Sequence, residues 1–474
     1  LDIVSTSVND STLAWYENNG AADPSFAAAN IATNVSGAHG IHVDDMDADG
    51  DLDIVVASFT DDTVRWFENN GAADPTWSAA TIATSMDGAR DVDVLDIDKD
   101  GDLDVIFTAQ DADSIYYYLN NGAADPTWSG SNFNDEFDKP HNIAVGDVDN
   151  DGDLDIVSSS HNDSKIALHT VDKTATVGSD FTAVSGTLVI PSGDTSGTFN
   201  VPILSDSTKE SDEVVIVKIK NPSNAYVFPT DGLSDSNNYV TTARLTITDD
   251  DALSFTAADI ATNADGAYDV YVADMDADGD LDIVSANKNE NTVSWYENDG
   301  AANPTFTAAD ISSSFPDVWN IQVGDIDNDG DMDIVAGVHP NSPAPAPLYF
   351  LENDGAANPS WSSSTLSANV MLMGSAAPYI GDLDGDGDLD IIAGSSDDDK
   401  ITWFENDGAA DPSFSTTLIA TSANGPSSLH MADLDGDGDL DIISSSSVDN
   451  KIAWYENNGA SDPSFTAADI STSI

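Results

Sequence analysis

Seven times the chain repeats Asp-x-Asp-x-Asp-Gly-Asp-x-Asp, the spacing in this sequence most suited to metal chemistry. The first copy is Asp45, Asp47, Asp49, Asp51 and Asp53, and the second Asp96, Asp98, Asp100, Asp102 and Asp104. The third is Asp147, Asp149, Asp151, Asp153 and Asp155, and the fourth Asp274, Asp276, Asp278, Asp280 and Asp282. Asp325, Asp327, Asp329, Asp331 and Asp333 make the fifth; Asp382, Asp384, Asp386, Asp388 and Asp390 the sixth; Asp433, Asp435, Asp437, Asp439 and Asp441 the seventh. Calcium takes roughly six to eight oxygen ligands in relaxed geometry, whereas magnesium demands a stricter octahedron. Carboxylates at positions 1, 3 and 5 of a tight loop can converge on one ion. Glycine at position 6 permits the reversal, position 7 offers its carbonyl, and position 9 closes the shell from the next strand. The apolar residues at positions 2 and 8 are expected to turn into the fold. Asp and Gly also make ordinary turns, but a turn needs one or two of them, not five acids in nine positions. Without a cation their repulsion costs on the order of several kcal/mol per loop. About seven calcium ions (Ca2+), one per complete loop, are expected.

The elements that must position these loops form a tandem repeat. Leu-Asp-Ile-Val or a close variant begins at Leu1, Leu52, Leu103, Leu154, Leu281, Met332, Leu389 and Leu440. Trp-Tyr-Glu-Asn-Asn-Gly and its relatives follow most copies, and a Ser-Phe-Thr-Ala-Ala-Asp-Ile segment closes the unit. Each piece clusters β-formers between Gly, Asn, Asp and Pro, and no helical period is sustained. Four strands per unit, in the order A, Asp loop, B, polar loop, C, Asn-Gly loop, D, predict an all-β propeller. Starting at strand B leaves the first of eight units incomplete, so eight blades are favoured, with a seven-bladed ring as the alternative. The repeated Trp15, Trp66, Trp295, Trp403 and Trp454 read as packing between blades. Loops recur every 51 residues except for steps of 127 and 57, which places an insertion of about 76 residues in one C–D connection. The domains are therefore 1–168, propeller; 169–252, an inserted β-sandwich; and 253–474, propeller. The start at Leu1, without methionine and inside a repeat, suggests a piece of a longer precursor.

Composition narrows the partners. Acids outnumber bases 86 to 13, giving a formal charge of −73, and seven divalent ions would offset only a fraction of that. Nucleic acid and anionic membranes are poor partners for such a surface, and strong screening outside the cell would suit it. With no cysteine there is no disulfide or thiolate chemistry. No stretch is apolar enough for a transmembrane helix.

These loops and their flanking strands resemble FG-GAP/VCBS-type repeats, as in the propeller head of integrin α subunits and in bacterial surface proteins. The resemblance implies calcium between strands A and B, a secreted or cell-surface location, and an adhesion role. Asp2 matches position 9 of an eighth loop whose other ligands are missing. Residues from about His169 to Ala252 resemble a Calx-β domain, through Thr174 to Phe181, Gly186-Thr187-Leu188, Val201 to Leu204, Glu210 to Glu213 and Leu245 to Asp251. By that resemblance Asp180, Asp206, Glu210, Glu213 and Asp249 to Asp251 match the acids through which some members bind calcium. The family's first two strands have no counterpart in the excess.

Function in a repeat protein concentrates where the repeat breaks. Six residues before each first loop Asp stand His39, Arg90, His141, Tyr268, Trp319, Ala376 and Ser427, while their neighbours are far more uniform. His39, Arg90, His141, Tyr268 and Trp319 are the candidate ligand site, on the rim opposite the metal loops. Their types suit a sugar or acidic polymer, by stacking and charge-assisted hydrogen bonds. Two functions compete. The leading one is a non-catalytic, monomeric, extracellular calcium-binding adhesion protein for a glycan or surface-protein ligand. The alternative is a lectin, or a polysaccharide lyase using His or Tyr as base.

Overall fold

Strand B carries the densest apolar run of each unit, and its burial organises the molecule. In the computed structural model, which describes residues 1–170, 213–219, 241–247 and 256–472 apart from positions 9, 22, 73–74, 99, 125, 134–136, 151–153, 302, 313–314, 339–346, 357–358, 368–377, 397 and 462, eight sheets form a propeller. Among the described residues there is no helix. Seven sheets have four antiparallel strands in meander order, and the first has three, because the chain begins at its second position. The second blade, Ala38–Asp44, Asp53–Ser58, Thr63–Asn69 and Trp77–Thr84, serves as the type. All six residues of Asp53–Ser58 are buried, while outer strands such as Phe306–Ser312 expose their middle four. β-Branched residues suit the two-sided interior position, and Ala, Thr and Asp the solvated edge.

Blades adhere through aromatic and aliphatic side chains of facing sheets. Val55, Val64 and Trp66 of the second blade share a buried cluster with Val92, Val105 and Phe107 of the third. Trp295 and Trp403 do the same three and five blades further on. Burying each such side chain contributes about 2–3 kcal/mol. The last blade meets the first in the same way: Ala14 and Tyr16 cluster with Ile452, and Phe26 lies edge-on to Trp454 at 6.3 Å. Eight blades therefore close the ring, and the seven-bladed alternative is excluded.

The fourth blade is completed across the insertion. Pro140–Gly146, Asp155–Ser160 and Lys165–Thr170 are joined by Thr256–Ala261, after 85 intervening residues. Contacts divide the chain into one unit of Leu1–Ile97, Gly101–His169 and Ala257–Ile474, and another of Thr170–Thr256 with Asp98–Asp100. In the smaller unit, Glu213–Ile219 pairs antiparallel with Thr241–Ile247. Asp180, Asp206, Glu210 and Asp249 to Asp251 lie outside the described residues, as do Ala376 and residues 340–346 of the Pro-rich connection.

Candidate metal centres and the mouth of the ring

In the Asp loops whose turn is described, backbone N–H groups fold the chain around the first carboxylate. Asp45 accepts from Asp49 N and Gly50 N, both at 3.0 Å, and Asp49 Oδ1 accepts from Asp51 N at 3.0 Å. The position-6 glycines hold φ between +98° and +102°, with nothing within 4 Å of an added β-carbon. Glycine is required there by backbone torsion rather than by space. Position 2 is buried, as in Met46, Val148, Met275 and Ile326.

Position 8 departs from expectation. Leu281, Leu389 and Leu440 approach the end of the preceding blade's inner strand, near Gly146, Gly324 and Gly381. Leu52 follows a blade that lacks an inner strand and is 57% exposed; Leu154 is 37% exposed. These leucines cover a neighbour rather than enter their own blade.

The five acids of a loop divide into three roles. Carboxylate oxygens of Asp45, Asp47 and Asp49 lie within 4.8 Å of one another, as do those of Asp147, Asp149 and Asp155, of Asp274, Asp276 and Asp282, and of Asp325, Asp327 and Asp329; seven such groups occur among the described residues. Position 7 turns elsewhere. A β-carbon on Gly71 would sit 1.9 Å from Asp51 Oδ2, and the same holds for Gly122 with Asp102 and Gly300 with Asp280. Asp331, Asp388 and Asp439 repeat the arrangement, so at position 7 the carboxylate packs against the Asn-Gly turn. Position 9 is a bracket as well as a candidate ligand. Asp53 accepts from Asn69 N at 2.7 Å, Trp66 Nε1 at 3.0 Å and Met46 N at 3.3 Å, tying loop, second strand and third strand together. Asp2 accepts from Asn18 N and Trp15 Nε1, so the first blade carries the same bracket. Asp151 and Asp153 lie outside the described residues.

A cation fits what is left over. Asp147 Oδ1, Asp276 Oδ1, Asp325 Oδ1 and Asp382 Oδ1 are buried without a hydrogen-bond donor, which is costly for an ionised group. Burial pushes Asp282, Asp333 and Asp390 up to about 7, against backbone hydrogen bonds that lower them. Burial, then the neighbouring carboxylates, raises Asp327 and Asp384 to about 6. A divalent ion would relieve both effects.

The conserved geometry of the Asn-Gly turn couples these loops to the ring. Asn406 Nδ2 donates to Ile326 O at 2.6 Å, position 2 of the preceding blade's loop. Asn120, Asn298, Asn353 and Asn457 reach Met46, Val148, Met275 and Leu383 in the same way. Asn18 reaches Leu434 at 2.7 Å and so joins the first blade to the last.

At the other end of the inner strands lies the mouth. Register shifts fall at the second residue of Ala38–Asp44, Pro140–Gly146, Ala267–Ala273 and Val318–Gly324, and over Arg90 and Asp91 in the third blade. His39, Arg90, His141, Tyr268 and Trp319 are thus bulge residues, freed from the ladder and re-aimed. His39, Arg90, His141 and Tyr268 line a cavity of about 170 Å³ with Asp91, Asn142, Asp269 and Asn320. The His141 and Tyr268 rings lie 3.6 Å apart by centroid, and Tyr268 and Trp319 4.5 Å. His39 packs edge-on against Phe59 at 5.6 Å. Burial, then Arg90, holds His141 well below its usual range and also lowers His39, so both imidazoles are neutral at pH 7.

Two sets of mouth residues escaped the sequence reading. The first residue after strand B reaches a bulge residue of its own or the next blade: Gln110 Oε1 accepts from Arg90 Nη1 at 3.2 Å, His161 meets Tyr268 edge-on, and Lys288 Nζ lies 4.2 Å from the Trp319 centroid. Their signal was variation at one repeat position (Phe59, Gln110, His161, Lys288). The second set locks neighbouring blades. Asp91 accepts from Ile143 N at 3.1 Å, Asn142 from Val270 N at 3.2 Å and Asp269 from Ile321 N at 3.0 Å. Burial raises Asp91 to about 6 and Asp269 to about 7.

Comparison with known proteins agrees with this architecture. A family model described as an FG-GAP-like repeat matches residues 1–56, 45–107, 96–158, 274–336 and 382–444, more than half of the chain. A Calx-beta domain model matches residues 141–251, beginning inside strands that the structure gives to the fourth blade. No curated protein matches. Among solved structures, the Dos1 propeller is 11% identical with a TM-score of 0.45, over 99% of this chain and 86% of that one. A functionally unknown protein from Desulfotomaculum acetoxidans is 10% identical at TM-score 0.44, over 89% and 96%. The V. cholerae biofilm matrix protein Bap1 is 13% identical at TM-score 0.33, over 94% and 84%.

Proposed function

The chain belongs to the FG-GAP-like repeat family, and from that premise we propose that it is a secreted or surface-displayed, non-catalytic binding module whose blades are pinned by calcium. The observation that carries this reading is the set of buried carboxylate oxygens left without donors in loops of three converging acids. Calcium suits them better than magnesium, because the loops offer many oxygens on flexible backbone rather than an octahedron. Each ion would fix the loop whose position-2 carbonyl receives the next blade's Asn, so metal and ring closure reinforce each other. Sites of modest affinity fill where calcium is plentiful, which is outside the cell. The formal charge of −73 also disfavours nucleic acid as a partner.

The mouth is the proposed ligand site, its chemistry unlike that of the acidic rim. Calorimetric titration of the calcium-depleted chain tests the metal reading: about seven calcium sites are expected, with magnesium much weaker. Empty loops at millimolar calcium would end it. A second reading, a polysaccharide lyase, draws support from the neutral His141 imidazole beside Tyr268, since a neutral imidazole can accept a proton. Unsaturated product from a uronic-acid polymer, lost in His141→Ala, would establish it; none from the intact chain removes it.

A further inference from the structure

We infer that the mouth of the ring binds a hexuronate, a sugar ring carrying a carboxylate, rather than a neutral sugar or a simple oxyanion. The inference deepens the proposal that the mouth is the ligand site, and rests on it.

Charge is the first argument. Only 13 lysines and arginines are set against 86 acids, yet Arg90 and Lys288 both stand at this one opening. The guanidinium of Arg90 is steered by Gln110 and shares the cavity wall with Tyr268. A planar fork so placed matches a carboxylate in geometry as well as sign. The permanent positive charge here belongs to Arg90 and Lys288.

Ring faces are the second. His141, Tyr268 and Trp319 form a continuous run of aromatic surface, tilted by 40° and 32° between neighbours. Such surfaces take the C–H face of a pyranose. The cavity of about 170 Å³ has room for one sugar ring, not for a stacked strand of nucleotides.

The floor is the third, and it separates a uronate from phosphate or sulfate. Asp91, Asn142, Asp269 and Asn320 line the cavity beside Arg90. A bare oxyanion wants donors alone and leaves those acceptor oxygens without a partner. Hydroxyl groups both donate and accept, so they match this mixture. A ligand with one carboxylate and several hydroxyls uses every group present.

The test is calorimetry with the intact chain in saturating calcium, using galacturonate oligomers, the matching neutral galactose oligomers and inorganic phosphate. Galacturonate binding is expected, with Arg90→Met weakening it roughly tenfold to a hundredfold and Trp319→Leu weakening it comparably. Both variants should keep the parent melting temperature in calcium, which shows that the ring is intact. Equal affinity for the neutral oligomer, tighter binding of phosphate, or an unchanged constant in Arg90→Met would overturn the inference. If galacturonate fails but another glycan binds and loses affinity in Trp319→Leu, the mouth remains a ligand site and only the uronate assignment falls. If nothing binds while calcium still stabilises the chain, the ligand-site proposal falls with it. Cleavage of the galacturonate would support the uronate site and replace the non-catalytic reading.

Discussion

Replacing Asn406 by alanine isolates the contact that joins metal loop to blade. The Asn406 amide donates to Ile326 O at 2.6 Å and to Leu389 O at 3.2 Å, and accepts from Gly408 N at 3.1 Å. The side chain is 2% exposed, so water cannot substitute fully. A buried polar group left unsatisfied costs about 1–3 kcal/mol, and Ile326 O carries more of that loss than the partly exposed Leu389 O. Adding the turn contact gives roughly 3–5 kcal/mol for Asn406→Ala. Asn69→Ala is the control: this amide reaches Leu52 O of its own blade at 3.2 Å, in a partly exposed position. Its expected loss is about 1 kcal/mol. Urea unfolding in saturating calcium measures both, as a fall in midpoint at constant slope. Because Ile326 lies between Asp325 and Asp327, one calcium site of the set should also weaken in Asn406→Ala and none in Asn69→Ala. Equal losses in the two variants, or unchanged calcium titrations, would refute the coupling.

Calcium depletion should lower the melting temperature steeply, and excess calcium should restore it, since a ligand bound only by the folded chain stabilises it; scanning calorimetry against calcium concentration reads this. Two glycines distinguish torsion from crowding. Gly50→Ala meets only an unfavourable φ of +98° and should cost about 1–2 kcal/mol, whereas Gly37→Ala also drives a β-carbon to 2.4 Å from Thr60 Oγ1 and 2.7 Å from Thr60 N, and should cost more by denaturant titration. Asp269 provides a pH test away from the metal loops. Its folded pKa of about 7 lies above the ordinary 3.8, so its protonated form stabilises the fold at low pH and that contribution is lost as pH rises from about 4 through 7. Asp269→Asn keeps an acceptor for Ile321 N and cannot ionise, so relative to the parent it should gain about 2 kcal/mol between pH 5 and pH 8, measured by denaturant titration at each pH.

The sequence by itself determined the blades and the metal loops, because both are local. Strand alternation, the position-6 glycine and the alternating acids act within nine or ten residues, and repetition multiplies the signal. It also exposed the insertion, since a fixed period makes an excess countable. Tertiary structure decided what depends on neighbours. Eight blades rather than seven follows from Phe26 meeting Trp454 and Asn18 meeting Leu434, contacts between the two ends of the chain. The acids at positions 7 and 9 look alike in a string of aspartates, yet one lies over a neighbouring turn and the other brackets two strands while joining the converging carboxylates of several loops. Variation along the repeat marked His39, Arg90, His141, Tyr268 and Trp319, but not the bulges that free them or the Lys288 and Gln110 that meet them from the adjoining loops. A period records which residues occupy equivalent places; only the closed ring decides which of those places face each other.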